Sequence, residues 1–324
     1  MTLEQGLIAA YVLDGRGGGK QIGWEAVQTW QPSDGLLWVH LDYRQPDVQA
    51  WLREESGIDP VVADSLLLEE VRPRSLSTKQ GLMVVLRGVN LNPGQQPEDM
   101  VALRFWIEDH RVITLRHRHL LSVDDLRERI DRGLGPVSPG SFLVDLAERL
   151  ADRMAKPIAD VEDAVDRLGE QVATAESRQL RTQLSQVRRE AITLRRYLAP
   201  QRDAMSRLYS EPVPWLDDTH RMRLRELADR TMRYVEDLDA ARERAGVSHE
   251  ELASLMADQM NNRMYLLSIV AALFLPLGFV TGLLGVNVAG IPGTEYGAAF
   301  VLVCVALVVL AVLELWFFKR RGWV

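Results

Sequence analysis

The chain has 324 residues with one cysteine, and it carries 38 Lys and Arg against 45 Asp and Glu, a formal net charge of −7. One cysteine excludes a disulfide framework, and the acidic balance argues against a nucleic-acid-binding protein. The length suits one large domain or two modest ones. No secretory signal is predicted, since residues 1–20 contain only a short apolar run before Asp14, so we expect the N-terminal part to stay cytoplasmic.

Residues 1–140 are predicted to form a mixed α/β domain. Four short runs rich in Val, Leu, Ile and aromatic side chains have the composition of strands. Two charged stretches have helical patterns, and Ser122 is predicted to cap the second of them ahead of an acidic first turn. The predicted strands are 36–43, 82–89, 101–108 and 111–117, and the predicted helices are 47–57 and 122–130.

Two long helical regions follow. Over 141–216, two series of apolar residues at three- and four-residue spacing predict a helical hairpin, which ends at the sequence "EPVPW". Over 217–262, helical periodicity resumes and continues without Pro into an apolar run, which predicts a stalk helix. If this helix continues to Gly285 it is about 100 Å long, with Gly246 as the one obvious weak point.

Two segments, 263–285 and 298–318, are predicted to cross a membrane. Each is about as long as the roughly 20 apolar residues that span a hydrocarbon core. Basic residues flank the pair at Arg263 and in the tail 319–324, whereas the joining loop 286–297 contains no Lys or Arg. The positive-inside rule therefore predicts that both termini are cytoplasmic and that the loop is periplasmic.

One face of the first predicted span, here called the small-residue face, is small or polar except for Met264 and Leu275. In one interpretation, its small residues allow close helix packing. In the other, the face lines a water-filled path, with Met264 and Leu275 as apolar constrictions and with polar rings from Asn261 and Ser268. The members of the face, at heptad spacing, are Asn261, Met264, Ser268, Ala271, Leu275, Gly278 and Gly282, with Gly285 at its end.

A pore requires more than one copy of this chain. Two spans cannot enclose a channel, so the channel interpretation predicts a ring of subunits with cyclic symmetry. The sequence Gly285–Val286–Asn287 ends the first span on the outer side. A ring of these residues would present backbone carbonyls and Asn287 amides, an uncharged oxygen site that suits a hydrated divalent cation. It would be a poor direct ligand set for bare Zn²⁺.

Four further sites carry competing interpretations. Glu295 would form a cation-attracting ring at the outer mouth, or it is a solvated loop residue. Glu250, in register with the small-residue face, could bind ions as a ring. Glu314 is interpreted as reaching the membrane interface or pairing with the basic tail. His117 and His119 could bind a metal ion together, although such a pair is more often two surface histidines without a binding role. No nucleophile–base pair is found, so no enzyme activity is predicted.

The C-terminal hundred residues resemble the CorA family of divalent-cation transporters. The resemblance rests on Asn261–x–x–Met264 after a long stalk helix, on "LPLGFVTGLLGVN", on the second span and on the tail "FFKRRGWV". The loop "GVNVAGIPG" is similar to that of the ZntB-type zinc transporters within the family. The N-terminal part matches in its order of elements, with "WVHLDY" in the expected place.

The resemblance implies an α+β fold, in which a cytoplasmic α/β domain, a long helical stalk and two C-terminal transmembrane helices assemble as a CorA-like pentameric funnel. It implies a bacterial inner-membrane protein with Asn287 at the outer filter and Asn261 and Met264 near the cytoplasmic constriction. A basic collar at the inner mouth would consist of Lys319, Arg320 and Arg321.

The resemblance also implies Zn²⁺ uptake coupled to protons, with Cd²⁺, Ni²⁺, Co²⁺ and Mg²⁺ as further candidate ions and no bound cofactor. The partners are then other copies of the chain, the lipid membrane, divalent cations and protons. Between Asn261 and Asn287 the small-residue face offers no His, Asp or Glu to carry a proton. The alternatives are a passive CorA-like channel for Mg²⁺ or Co²⁺ and, in another class, a membrane-anchored cytoplasmic sensor domain.

Overall fold

The computed structural model describes residues 5–172, 178–285, 293 and 296–322. It divides into two compact units, Met1–His249 and Glu250–Val324. The first unit is a mixed sheet with helices, and the second is helical. The predicted α+β class is confirmed.

A seven-stranded mixed sheet forms the centre of the first unit. Its order is β2-β1-β3-β7-β6-β5-β4, and β3 with β7 is the parallel pair while the other neighbours are antiparallel. The strands are β1 (Leu7–Leu13), β2 (Gly19–Gln21), β3 (Leu36–Asp42), β4 (Arg74–Ser77), β5 (Leu82–Gly88), β6 (Val101–Ile107) and β7 (Arg111–Arg116).

Eight α-helices accompany the sheet in the described part of the chain. They are α1 (Trp24–Thr29), α2 (Pro46–Glu54), α3 (Pro60–Leu67), α4 (Leu121–Asp131), α5 (Pro139–Val172), α6 (Arg178–Ser210), α7 (Asp218–Leu284) and α8 (Ala299–Arg320). Helix α7 contributes residues to both units.

The sheet is buried on both faces, which explains the near-continuous apolar runs in its central strands. In β3, Leu36 and Trp38 join one core, whereas Leu37, Val39 and Leu41 join the other. The first core also contains apolar residues of α4 to α7, and the second contains those of α1 to α3. Helices therefore cover each side of the sheet.

The predicted cap at Ser122 is wrong. Helix α4 begins one residue earlier, its N-cap is Leu120, and no side chain caps it. Ser122 is buried in the first turn, and its hydroxyl donates a 3.3 Å hydrogen bond to the carbonyl of Arg149 on α5. The hydroxyl thus joins two helices instead of satisfying the amides at a helix start.

Ion pairs join the part of α7 that lies in the first unit to α5. The Arg223 guanidinium bonds Glu148 and Asp145, and Arg230 Nη1 lies 2.7 Å from the Asp152 carboxylate. The hydrogen bonds to Glu148 are the main cause that raises the pKa of Arg223. These side chains are all partly solvent-exposed, so each pair contributes at most about 1 kcal/mol.

A buried polar network joins β3 and β7. Arg116 Nε donates to His40 Nε2 at 2.9 Å, so His40 Nδ1 must carry the proton and donate to Thr114 Oγ1 at 2.7 Å. Trp38 Nε1 donates to the same hydroxyl at 2.8 Å. Burial, with the nearby Arg116 charge, lowers the pKa of His40 from 6.5 to about 3. His40 is therefore a neutral structural residue.

The second unit contains the two apolar helical segments. The most apolar 18 residues of α7 and of α8 have mean hydropathies of 2.3 and 2.9, and none of them is buried. A core helix of a soluble protein would bury such a surface against the rest of the chain. Exposed helices of this length and composition are suited to a membrane interior.

Candidate functional site

The small-residue face lies on the exposed surface of α7. Its members from Asn261 to Gly282 are helical, and all are exposed in the single chain. Met264 and Leu275, its two bulky members, are 52% and 77% exposed. The face is therefore regular, and no other part of the described chain covers it.

No contact within the chain explains the glycines of this face. A Cβ atom built on Gly278 or Gly282 has no neighbour within 4 Å in the described structure. Glycine costs about 1 kcal/mol relative to alanine inside a helix, so its presence needs a reason. The described residues supply no such reason, whereas a second copy of the chain or a path for ions would supply one.

Hydroxyl groups in this segment bond to the helix backbone. Ser268 Oγ donates to the Met264 carbonyl at 2.8 Å, and Thr281 Oγ1 donates to the Leu277 carbonyl at 3.0 Å. This pattern satisfies the hydroxyl hydrogen inside an apolar medium. The oxygen lone pairs of Ser268 stay free to accept hydrogen bonds from water on the small-residue face.

Pro276 lies inside α7, within the membrane-length segment. Proline lacks an amide hydrogen, so the carbonyl of Ala272 loses its usual donor four residues on. In a membrane such a freed carbonyl needs another partner, often a neighbouring helix or water. The reasoning from sequence missed this feature, although the proline is visible in "LPLG".

The C-terminal end of the first apolar segment is described as far as Gly285. Helix α7 ends at Leu284, and the Gly285 amide donates to the Thr281 carbonyl at 3.0 Å. A Cβ atom at Gly285 would approach that carbonyl to 3.2 Å, which favours glycine there. The predicted filter residue Asn287 and the predicted mouth residue Glu295 lie outside the described residues.

The predicted basic collar is at the end of α8. Lys319 and Arg320 occupy the last turn and Arg321 is the C-cap, and all three are exposed. Cations in this position are favoured by the helix dipole. The guanidinium of Arg320 lies 5.3 Å from the ring centroid of Trp316, and that of Arg321 lies 5.5 Å from the ring centroid of Phe317.

The predicted pairing of Glu314 with the basic tail is not observed. One carboxylate oxygen of Glu314 is buried and has no hydrogen-bond partner among the described residues. The two arginines of the tail instead contact aromatic rings. Glu314 is the one acidic residue of α8, so its carboxyl group lies in a segment where charge is costly.

The other candidate ligands do not converge in a single chain. No group of three His, Cys, Asp or Glu side chains placed to hold a metal occurs in the described part of the chain. Glu250 is exposed on α7. His117 Nδ1 lies 3.9 Å from Asp42 Oδ1, whereas His119 Nε2 lies 2.5 Å from Asp124 Oδ2. The two histidines thus face different carboxylates.

Comparison with known proteins identifies relatives along nearly the whole length. The family model described as "CorA-like Mg2+ transporter protein" matches residues 33–320. The chain is 40% identical over 320 residues to the zinc transport protein ZntB of Yersinia enterocolitica, covering 98% of this chain and 95% of that one. It is 42% identical over 328 residues to the divalent cation transporter CmaX of Pseudomonas aeruginosa, covering 99% and 97%.

Solved structures give the same result. The full-length CmaX protein superposes with a TM-score of 0.85 at 42% identity, with 99% of each chain covered. The CorA magnesium transporter from Methanocaldococcus jannaschii superposes with a TM-score of 0.80, covering 98% of this chain and 99% of that one. Its identity of 18% supports a shared fold and no more.

Proposed function

The chain belongs to the CorA family of divalent-cation transporters, and from that membership we propose that it carries Zn²⁺ across a bacterial inner membrane. The proposal is supported by relatives at 40% identity that are named zinc transport proteins. The structural observation that carries it is the exposed small-residue face of α7, which has no partner among the described residues. No catalytic role is proposed.

The pore is proposed to form between copies of the chain. Five copies, as the family resemblance implies, would place the α7 segments around an axis with their small-residue faces inward. Glycine at 278 and 282 then keeps the path wide, while Met264 and Leu275 form apolar constrictions. Asn261 would supply a ring of amides at the cytoplasmic end.

The outer filter is proposed to be the ring of Gly285 carbonyls and Asn287 side chains. Such a site holds a cation through its hydration shell, because neutral oxygens compete poorly with the His, Cys and carboxylate ligands that bare Zn²⁺ prefers. Glu295 would raise the local cation concentration at the mouth. Glu250 would form a second ring of carboxylates on the cytoplasmic side.

The orientation follows from the charges beside the spans. Arg263 precedes the first span, and Lys319, Arg320 and Arg321 end the second. Both termini are therefore proposed to be cytoplasmic.

Coupling of Zn²⁺ uptake to protons is also proposed. It rests on the resemblance to ZntB-type transporters, since the small-residue face has no titratable side chain from Asn261 to Gly285. The same observation favours the second candidate, a passive channel for Mg²⁺ or Co²⁺ driven by the membrane potential. A membrane-anchored sensor is the third candidate, and it requires no ion flux.

Purified protein in liposomes separates transport from anchoring. We expect Zn²⁺ entry into vesicles with the wild-type chain. Asn287→Ala removes the filter amides and should reduce entry by about tenfold or more, in an oligomer of unchanged mass. The control is Asn262→Ala, the same change at an exposed residue of α7 that lies outside the proposed filter. Absence of flux with an assembled wild-type oligomer would favour the anchor.

A further inference from the structure

A cavity of about 400 Å³ lies on the α1–α3 side of the sheet, within the first unit. Three tryptophans line it, Trp24, Trp30 and Trp51. Volumes of roughly 300–1,000 Å³ lined by aromatic side chains with a few polar groups are typical of small-molecule sites. This cavity takes no part in the proposed ion pathway.

The aromatic walls are held in place by the fold. Trp24 and Trp51 are both more than nine-tenths buried and pack edge to face, with ring centroids 5.2 Å apart. Trp30 follows α1 directly, and its Nε1 donates to the Gly35 carbonyl at 3.2 Å. The rings are therefore fixed before any ligand arrives, which lowers the entropic cost of binding.

The polar groups of the cavity favour a positively charged ligand. Glu55 is exposed at the end of α2, and its carboxylate has no hydrogen-bond or ion-pair partner among the described residues. The nearest basic side chain of the same helix, Arg53, pairs with Asp64 at 2.9 Å. Glu55 is thus a carboxylate without a partner among the described residues, on the rim of a cavity that three tryptophans line.

Arg111 also lines the cavity, but a carboxylate offsets its charge. Its Nε and Nη2 donate to the two oxygens of Glu108 at 2.9 and 2.7 Å, a bidentate pair. Trp106 Nε1 bonds the same carboxylate at 2.6 Å and fixes its position. The net charge that the cavity presents to a ligand is therefore that of Glu55.

We propose that the Trp24–Trp30–Trp51 cavity binds a small organic cation with an alkylated ammonium group, and that Glu55 supplies its counter-charge. Aromatic faces attract such cations through the ring quadrupole, most strongly when the site excludes water. The alkylated ammonium group would pack against the ring surface that lines the cavity, and the rest of the ligand would extend toward Glu55 at the exposed rim. The proposal is independent of which metal ion the protein transports.

Isothermal titration of the full-length protein in a maltoside detergent tests the proposal with choline as the probe. Its uncharged isostere 3,3-dimethylbutan-1-ol, in which carbon replaces the nitrogen, is the matched ligand control. We expect saturable choline binding that is about fivefold to thirtyfold tighter than binding of the isostere. Equal binding of the two ligands, or no saturable binding of choline, would overturn the proposal.

Variants assign the binding to this cavity. Glu55→Gln is expected to weaken choline binding about threefold to fivefold, whereas Glu54→Gln, the same change one residue away and outside the cavity, should leave it unchanged. Trp30→Leu is expected to weaken it by at least about fivefold. Equal effects of the two glutamate variants would contradict the assignment, and since both residues are exposed, neither change threatens folding.

The ammonium group could belong to a free solute or to a lipid headgroup. Glycerophosphocholine distinguishes the two sources, because it carries the phosphate and glycerol of the lipid. Tighter binding of choline indicates a free solute, and tighter binding of glycerophosphocholine indicates a headgroup. Either order supports recognition of the ammonium group, whereas binding of neither compound refutes it.

Discussion

Asn261 and Asn262 are adjacent exposed amides on α7, and only Asn261 belongs to the small-residue face. Successive helical residues point about 100° apart, so the two side chains cannot line the same path. We expect Asn261→Ala to reduce Zn²⁺ entry into liposomes by about fivefold to tenfold, the cost of one lost hydrogen bond to water at a constriction. Asn262→Ala should leave it unchanged, and equal effects would contradict an ion path along this face.

His40 makes stability depend on pH. Its pKa is lowered from 6.5 to about 3 in the fold, so the unfolded chain binds the extra proton as the pH falls below 6.5. The free energy of unfolding therefore has its full value above pH 6.5, and the contribution linked to His40 is lost progressively as the pH falls toward 3. We expect urea unfolding to show a loss of about 1.4 kcal/mol per pH unit between pH 6 and 5.

Two histidine variants isolate this effect. His40→Gln should be less stable than wild type at pH 7 and should lack this part of the pH dependence. His110→Gln changes an exposed histidine and should keep the wild-type pH dependence. The assignment to His40 fails if both variants retain the same slope.

At the scale of elements, four of the seven strands, β3, β5, β6 and β7, could be predicted from their apolar runs. The predicted strand 82–89 corresponds to β5 (Leu82–Gly88), because both of its faces are buried. β4 (Arg74–Ser77) was missed because it is a short edge strand with alternating polar residues. β1 (Leu7–Leu13) was not predicted, because a short apolar run near the N-terminus has the composition of a targeting segment as well as of a buried strand.

The stalk helix offers a test of local propensity. Gly246 lies inside α7, and a Cβ atom there would be 3.8 Å from Arg188 Cζ, an ordinary contact. Gly246→Ala should therefore stabilise the protein by roughly 1 kcal/mol and raise the Tm by about 2–4 °C.

Gly140 is the matched control for this prediction. It also lies in a helix, α5, but a Cβ atom there would be 2.6 Å from the Trp215 carbonyl. Gly140→Ala should lower the Tm, because backbone atoms cannot move aside cheaply. If calorimetry shows that the two variants shift the Tm in the same direction, the space around each glycine does not determine the effect of the added Cβ atom.

At the scale of the whole molecule, the sequence was sufficient for the fold class and for the two long apolar helices near the C-terminus. The heptad spacing of Met264, Ser268 and Leu275 predicts that they share one face of α7. They are exposed in the single chain, as is most of the surrounding segment, so their place in a pore stays a prediction. The sequence could not show whether Glu314 pairs with the tail, since an ion pair depends on rotamers and not on spacing. The proposed ring of Glu250 carboxylates could not be tested in a single chain, because each copy would contribute one residue to it.

The Trp24–Trp30–Trp51 cavity could not be predicted from the sequence either. Trp24, Trp30 and Trp51 are spread over two helices and a loop, and their spacing in the sequence has no regular period. They meet because α1 and α2 pack on the same face of the sheet. Sites of this kind become visible only when the fold brings distant segments together.

The most direct test of the account is Zn²⁺ entry into liposomes that contain the purified protein and an internal zinc-sensitive dye, with and without a pH gradient at zero membrane potential. Proton-coupled zinc transport predicts that an acidic exterior accelerates entry and that a protonophore abolishes the acceleration. Entry that is indifferent to the pH gradient, follows the membrane potential and is reduced by competing Mg²⁺ would contradict coupling and make the protein a passive channel.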